Sequence, residues 1–175
     1  MKKIIMTTLS FAALLAAGLN VPHRFTAEFN QSVANPDGNT TLTYRGDLAV
    51  VLPDIAKWRY KTPVPKTICV AGPRVWVIEP ELEQATLYHM GGSIPIFRIF
   101  RHAKRQIDGT YLAAYRGRDY RIVVDKKERP VQIRYKDDLG NRITLTFSHL
   151  VPKIDDPSRL KCDIPDDYDI VDTQY

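Results

Sequence analysis

The sequence predicts a mainly β protein: an antiparallel sheet curled into a barrel or half-barrel, with one short helix inserted, preceded by a helical signal peptide. Three observations predict it. From Arg24 onward, apolar and polar residues alternate with a period of two over most of the chain, the pattern of strands that bury one face. Gly, Pro, Asn and Asp cluster between these runs at regular spacing, as in an antiparallel meander. One stretch alone, Ser93 to Arg105, has helical spacing.

The chain of 175 residues opens Met1-Lys2-Lys3 and is then almost wholly apolar from Ile4 to Leu19, with small residues at Ala16, Ala17 and Gly18. That is the layout of a secretory signal over residues 1–18. The run is shorter than the about 20 residues a membrane span requires. Residues 19–175 are expected to form a single exported, soluble domain. No cysteine lies near the expected cleavage site to accept a lipid anchor. The formal charge of +5 includes Lys2 and Lys3, so the remaining excess is mild. Basic residues are scattered, whereas Asp155, Asp156, Asp163, Asp166, Asp167, Asp169 and Asp172 gather near the C-terminus. This distribution speaks against nucleic-acid binding.

Phe25, Ala27 and Phe29 share one face of the first strand, and Pro36-Asp37-Gly38-Asn39 ends its hairpin. Leu42, Tyr44, Gly46, Leu48, Val50 and Leu52 line one side of the next, opposite Thr43, Arg45 and Asp47. Pro53-Asp54 breaks it, and Trp58 and Tyr60 continue in phase. Thr67–Ala71 and Arg74–Glu79 flank a Gly72-Pro73 turn. Val75-Trp76-Val77-Ile78 is apolar on both faces and predicts a covered strand. Gln84–Met90 forms another strand, and Gly91-Gly92 releases the chain into the helix.

In the helical stretch, expected over about residues 93–105, Ile96, Ile99, Phe100, Ala103 and Ile107 fall on one side. Arg98, Arg101, His102, Lys104 and Arg105 fall mostly on the other. Ser93 can cap the first turn, Pro95 is tolerated there, and cations suit the C-terminal end. The helix is either a packing element or a movable lid. Its cations either form a solvated face or meet anionic lipid or an acidic partner. Asp108-Gly109 ends it. Four further strands carry Thr110–Tyr115, then Tyr120, Ile122 and Val124, then Val131, Ile133 and Tyr135, then Ile143, Leu145 and Phe147. The Pro- and Asp-rich tail can add a final edge strand. About ten alternating strands have one apolar face to bury, and one short helix cannot cover it flat, so the sheet must curl. Its inner face then lines a concavity suited to an apolar ligand, with the helix at the mouth.

Cys69 and Cys162 either pair in an oxidising compartment or stay as two buried thiols. No Cys-x-x-Cys is present, and no metal or other cofactor is expected. His23, His89, His102 and His149 sit in different elements, and Ser148-His149 adjacency on a strand points the two side chains apart. No catalytic residue is expected. Asp155-Asp156-Pro157 reads as a turn rather than a Ca²⁺ loop.

Several of these segments resemble the outer-membrane lipoprotein carrier family, LolA. Phe25-Thr-Ala-Glu-Phe-Asn-Gln31 is similar to its opening Phe-x-Ala-x-Phe-x-Gln. Gly46-Asp-Leu48, Pro53 and Trp58-Arg-Tyr60 resemble its next hairpin. Val75-Trp-Val-Ile-Glu-Pro80 with Glu83-Gln-Ala85 resembles its central one, and Ile143–Phe147 and Ile164–Val171 its end. The resemblance covers nearly all of the chain after the leader. It implies an unclosed barrel with a helical lid, no enzymatic activity and no cofactor. It further implies a periplasmic chaperone that takes acylated lipoproteins from an inner-membrane release ABC transporter to an outer-membrane receptor. The family usually places an arginine before the proline of the second hairpin, where it latches the lid; this chain has Leu52. The family's N-terminal helix is missing ahead of Phe25. Cys162 stands where the family tends to have phenylalanine, consistent with a bridge to Cys69.

The candidate ligand contacts are the in-phase apolar residues Phe25, Phe29, Leu48, Val50, Leu52, Trp58, Tyr60 and Trp76, with Ile96, Phe97, Ile99 and Phe100 from the lid. A monomer is expected. The leading alternative is a lipoprotein- or lipid-sensing module of the same fold; a lipid-anchored receptor and a lipid or glycan hydrolase have less in the sequence to support them.

Overall fold

The computed structural model describes residues 18–89 and 95–173. The expected signal peptide, up to residue 17, and Gly91, Gly92 and Ser93 lie outside them. The strands are β1 (Arg24–Ala34), β2 (Thr41–Val51), β3 (Ile55–Thr62), β4 (Lys66–Ala71), β5 (Arg74–Glu79), β6 (Gln84–His89), β7 (Lys104–Arg105), β8 (Tyr111–Tyr115), β9 (Arg118–Val124), β10 (Pro130–Lys136), β11 (Arg142–Val151) and β12 (Asp169–Thr173). One helix, α1 (Pro95–His102), lies between β6 and β7.

All the strands belong to one sheet, ordered β12-β6-β5-β4-β3-β2-β1-β11-β10-β9-β8-β7. Two antiparallel meanders, β1 to β6 and β7 to β11, are joined where β1 pairs β11. The sheet does not close, since β12 and β7 stand at its two ends. It curls around one apolar face. Phe25, Ala27, Phe29, Leu48, Val50, Ala56, Val70, Val75, Ile122, Ile133 and Leu145 are buried there with Phe97, Ile99 and Phe100 of α1. Alternation along each strand explains the set: a period of two delivers every second side chain to the concave side.

Two features differ from expectation. The sheet is not wholly antiparallel, because β12 runs parallel to β6. A parallel neighbour needs a long crossover, and residues 152–168 supply it across the convex face. The disulfide Cys69–Cys162 fastens this strap to β4 and spans 93 positions. Lys57 Nζ donates to Lys161 O. The β12 end is held by Asp169 N to Glu83 O at 2.8 Å, His89 to Asp172 at 2.8 Å, and Thr173 Oγ1 to Leu87 O at 2.8 Å. Asp156 opens a short turn in the strap by accepting from Ser158 N at 2.9 Å, as the turn reading anticipates.

Second, α1 stops at His102 rather than near 105. Lys104 and Arg105 instead pair with Leu112 and Tyr111. The turn at Gln106–Gly109, closed by Gly109 N to Gln106 O at 3.1 Å and with Gly109 at φ +78°, overrides the apolar spacing. Ile107 is consequently fully exposed and leaves the lid's apolar face. As the sequence reading expects, no helix precedes β1 among residues 18–23. That segment is extended and pinned by Asn20 N to Glu128 O at 2.8 Å, with Leu19 and Val21 against the core.

Gly46 lets β2 and β3 approach. A Cβ there would stand 1.9 Å from Arg59 O and 2.8 Å from the Phe29 ring. Gly46→Ala is expected to cost about 3 kcal/mol, the upper end for overpacking, measured as a lower urea midpoint; an unchanged midpoint would show slack between these strands. Cys162→Ser is expected to lose about 4–5 kcal/mol through the loop closed by the bridge. The same denaturation assay checks it, and equal stability of the variant would mean the strap holds without its bond.

Candidate ligand-binding trough

Helix α1 lies over one end of the concave face. Its apolar positions fall at spacings of one, three and four, so Ile96, Phe97, Ile99 and Phe100 all turn inward. Between Phe97 and Phe100, whose ring centroids are 6.2 Å apart, and Phe25, Leu48, Val50 and Phe147 of the sheet, about 20 Å³ remains open. Every side chain around that space is apolar. Such a void is dry and hardly larger than one water. The helix side chains therefore occupy the space that they roof.

Trp58 and Ile96 border this space and also the next one. Beyond them the trough widens to about 390 Å³, within the range of about 300–1,000 Å³ common for ligand pockets. Ile68, Val70, Val75, Ile133 and Leu145 form its walls. Its outer rim is different in chemistry. Gln31, Tyr60, Tyr120, Tyr135 and Arg118 stand there. Tyr60 OH donates to Gln31 Oε1 at 2.9 Å. Lys66 Nζ lies 5.0 Å from the Tyr60 ring centroid. Burial, followed by the neighbouring Tyr135 and Tyr44, pushes the Tyr60 phenol up to about 12. Burial and then Tyr120 raise Tyr135 likewise.

A row of rings links the two ends. Phe29 meets Trp58 edge-on at 5.3 Å and Tyr60 at 4.9 Å, and Trp58 meets Phe147 at 6.2 Å. Tyr120 and Tyr135 lie 5.0 Å apart across the trough's far wall. Such pairs hold ring orientations as well as burying area.

Eleven of the twelve expected contact residues thus come together on this face or under the helix: Phe25, Phe29, Leu48, Val50, Leu52, Trp58, Tyr60, Ile96, Phe97, Ile99 and Phe100. Leu52 sits at the border, beside Phe97, Phe100 and Arg101, with Leu19 and Val21 from the extended N-terminal segment. Trp76 does not join them. It pairs with Cys69 and packs with Ile78, Ala85, Cys162, Ile164 and Tyr168 on the convex face. The reason is parity: Val75 points into the trough, so its neighbour Trp76 must point away. The ligand set read from sequence omitted Tyr120, Ile133, Tyr135, Ile143 and Leu145. Their alternation is plain, but only the sheet order brings β9, β10 and β11 to face β3. Gln31 was also missed, although a polar residue in phase with Phe25, Ala27 and Phe29 is a visible break in the pattern.

The lid cations divide. Arg105 pairs with Glu128 at 3.2 Å, and the other Glu128 oxygen accepts from Tyr111 OH at 3.0 Å. Arg101 and Lys104 are exposed. The histidines stay apart: His89 pairs with Asp172 and His149 with Glu28. Among the described residues no group of three or more His, Cys, Asp or Glu converges in a way that could hold a metal.

The family profile described as "Outer membrane lipoprotein carrier protein LolA" matches residues 22–108. An outer-membrane lipoprotein carrier protein of Wolinella succinogenes is 31% identical over 84% of this chain and 85% of its own length. One from Helicobacter pylori is 35% identical over 74% and 70%. Among solved structures, a LolA superfamily protein from Nitrosomonas europaea aligns over 82% of this chain and 92% of its own, with TM-score 0.56 and 12% identity. An uncharacterised conserved protein from Thermus thermophilus aligns with the same TM-score over 87% and 92%, at 11% identity. The two solved structures share the fold, the two sequence relatives are 31% and 35% identical over most of the chain, and the chain belongs to the outer-membrane lipoprotein carrier family, LolA.

Proposed function

We propose that the protein is a non-enzymatic periplasmic carrier that binds the acyl chains of lipoproteins in the trough. It takes them from the inner-membrane lipoprotein-release ABC transporter and hands them to an outer-membrane acceptor. It acts as a monomer and needs no cofactor. The observation that carries this reading is the apolar trough roofed by α1, in a chain of this family. Phe25, Phe29, Leu48, Val50, Trp58 and Tyr60 of the sheet contact the chain once Ile96, Phe97, Ile99 and Phe100 withdraw, with Leu52 at the border.

The energetics favour a carrier that also lets go. Burying acyl chain is worth about 0.8 kcal/mol per methylene, or on the order of 12 kcal/mol for a sixteen-carbon chain. Free diffusion through water is therefore prohibitive. The closed form already fills the same surface with its own phenylalanines, and removing a buried phenylalanine typically costs about 3–5 kcal/mol. Cargo replaces lid packing rather than filling an empty hole. Net affinity is the difference between two apolar contacts, which keeps release within reach of a partner that binds either the cargo or the lid. Leu52 in the position of the family arginine fits a closure held by such packing.

Two measurements test the reading. Protein isolated gently from its native periplasm is expected to carry acylated protein detectable by mass spectrometry; recovery of the bare chain alone would count against carriage. Phe100→Ala weakens the closed form and is expected to raise affinity for an apolar dye by at least tenfold while the sheet stays folded by circular dichroism. Equal or weaker dye binding would show that α1 is a fixed packing element and not a cover.

A further inference from the structure

The two ends of the trough differ in kind, and we propose that this difference fixes the direction of the bound chain: its glyceryl-ester end lies at the phenol rim of Tyr60, Tyr120 and Tyr135, and its methyl end lies under α1. The proposal rests on the carrier reading and adds an orientation to it. At the α1 end every lining side chain is apolar. An ester carbonyl placed there would lose its hydrogen bonds to water and gain none, an expensive exchange. At the other end, hydroxyl, amide and guanidinium groups meet the trough within reach of the same apolar walls.

The chemistry of the rim suits an acceptor. Ester carbonyls accept hydrogen bonds and donate none, so a matching site must donate. A phenol titrates near 10 and is protonated throughout the physiological range, and burial raises Tyr60 and Tyr135 further. Tyr60 commits its O–H to Gln31 Oε1, so Tyr135 is the phenol left to donate. Tyr135 OH makes no hydrogen bond within the protein among the described residues. Gln31 accepts from Tyr60 through Oε1, which leaves its amide N–H groups as donors. Lys66 beside Tyr60 adds positive charge at the exit, where a polar headgroup would emerge, whereas the Arg118 guanidinium there is paired with Asp138. Ordinary core tyrosines at a sheet margin would also place their hydroxyls outward. Five polar groups, Gln31, Tyr60, Arg118, Tyr120 and Tyr135, gathered on four different strands around one opening exceed that expectation.

The chemistry recognised is a fatty acyl glyceryl ester, common to lipoproteins and phospholipids. The test uses fatty-acid methyl esters bearing a nitroxide close to the ester or close to the terminal methyl. They are bound to protein labelled with fluorotyrosine or fluorophenylalanine and read by fluorine NMR. The ester-proximal nitroxide is expected to broaden the Tyr120 and Tyr135 signals, and the methyl-proximal one the Phe97 and Phe100 signals. Equal broadening at both ends, or the reverse assignment, would overturn the orientation while leaving carriage intact. If neither ester binds, the carrier reading fails and the orientation with it. The Tyr135→Phe variant is expected to lose about tenfold in affinity for the ester relative to an alkane of equal length, with alkane binding unchanged. Equal loss for both ligands would mean the phenol acts only through packing. Competition by a diacylated lipopeptide and by phosphatidylglycerol separates the sources. Tighter competition by the lipopeptide supports the orientation in its carrier role, and tighter competition by the phospholipid overturns that role.

Discussion

A topological constraint governs this molecule. Strands β6 and β7 are neighbours in the chain around α1, yet they lie far apart in the sheet, one on each meander. An open curled sheet leaves its two flanks facing across a mouth. The connection between those strands cannot run along the hydrogen-bonded ladder, because β6 is already paired on both sides, with β5 and β12, and β7 stands at the opposite end. It must bridge the mouth. A bridging segment with an apolar stripe will lay that stripe on the apolar floor beneath it. The position of α1 thus follows from strand order, and its closed pose follows from Phe97, Ile99 and Phe100.

Closure and emptiness are separate matters in such a fold. Below α1 the sheet and the helix interlock almost fully, whereas beyond Trp58 the floor stays open. One part of the concavity is therefore open and the other is filled by the helix's own side chains. The open part is bordered by ring-on-ring contacts of the sheet, and the filled part is covered by a single helix of 8 residues. The proposed carriage asks for such a division, a sheet that keeps its shape and a small cover that exposes and hides one surface.

Much of this was legible in the sequence. Alternation of Phe25, Ala27 and Phe29, or of Ile143 and Leu145, gives faces without any knowledge of partners. The double-sided run Val75–Ile78 correctly announced a covered strand. What covered its outer side was not legible, because Cys162, Ile164 and Tyr168 are distant in the chain and carry no periodic signal. Trp76 was assigned to the trough since large apolar residues look alike until parity is fixed by a neighbour. The helix end failed for another reason: Ile107 continues the helical spacing, but a local turn at Gln106–Gly109 and strand pairing of Lys104 and Arg105 outcompeted it. The pocket contacts from β9 to β11 depended on the pairing of β1 with β11, a long-range contact that no local pattern encodes. The disulfide was readable only as a choice between two states, and proximity resolves it.

The convex strap has a bearing on biosynthesis. Strand β12 follows every other described strand in the chain, and it covers the β6 margin only once the strap tied by Cys69–Cys162 has folded across the convex face. Until then that margin offers unpaired amides and carbonyls to any stranger with a matching backbone. A nascent chain thus exposes the β6 border, and the finished one replaces it with the short, exposed and doubly acidic edge of β12, where Asp169 and Asp172 discourage a further strand.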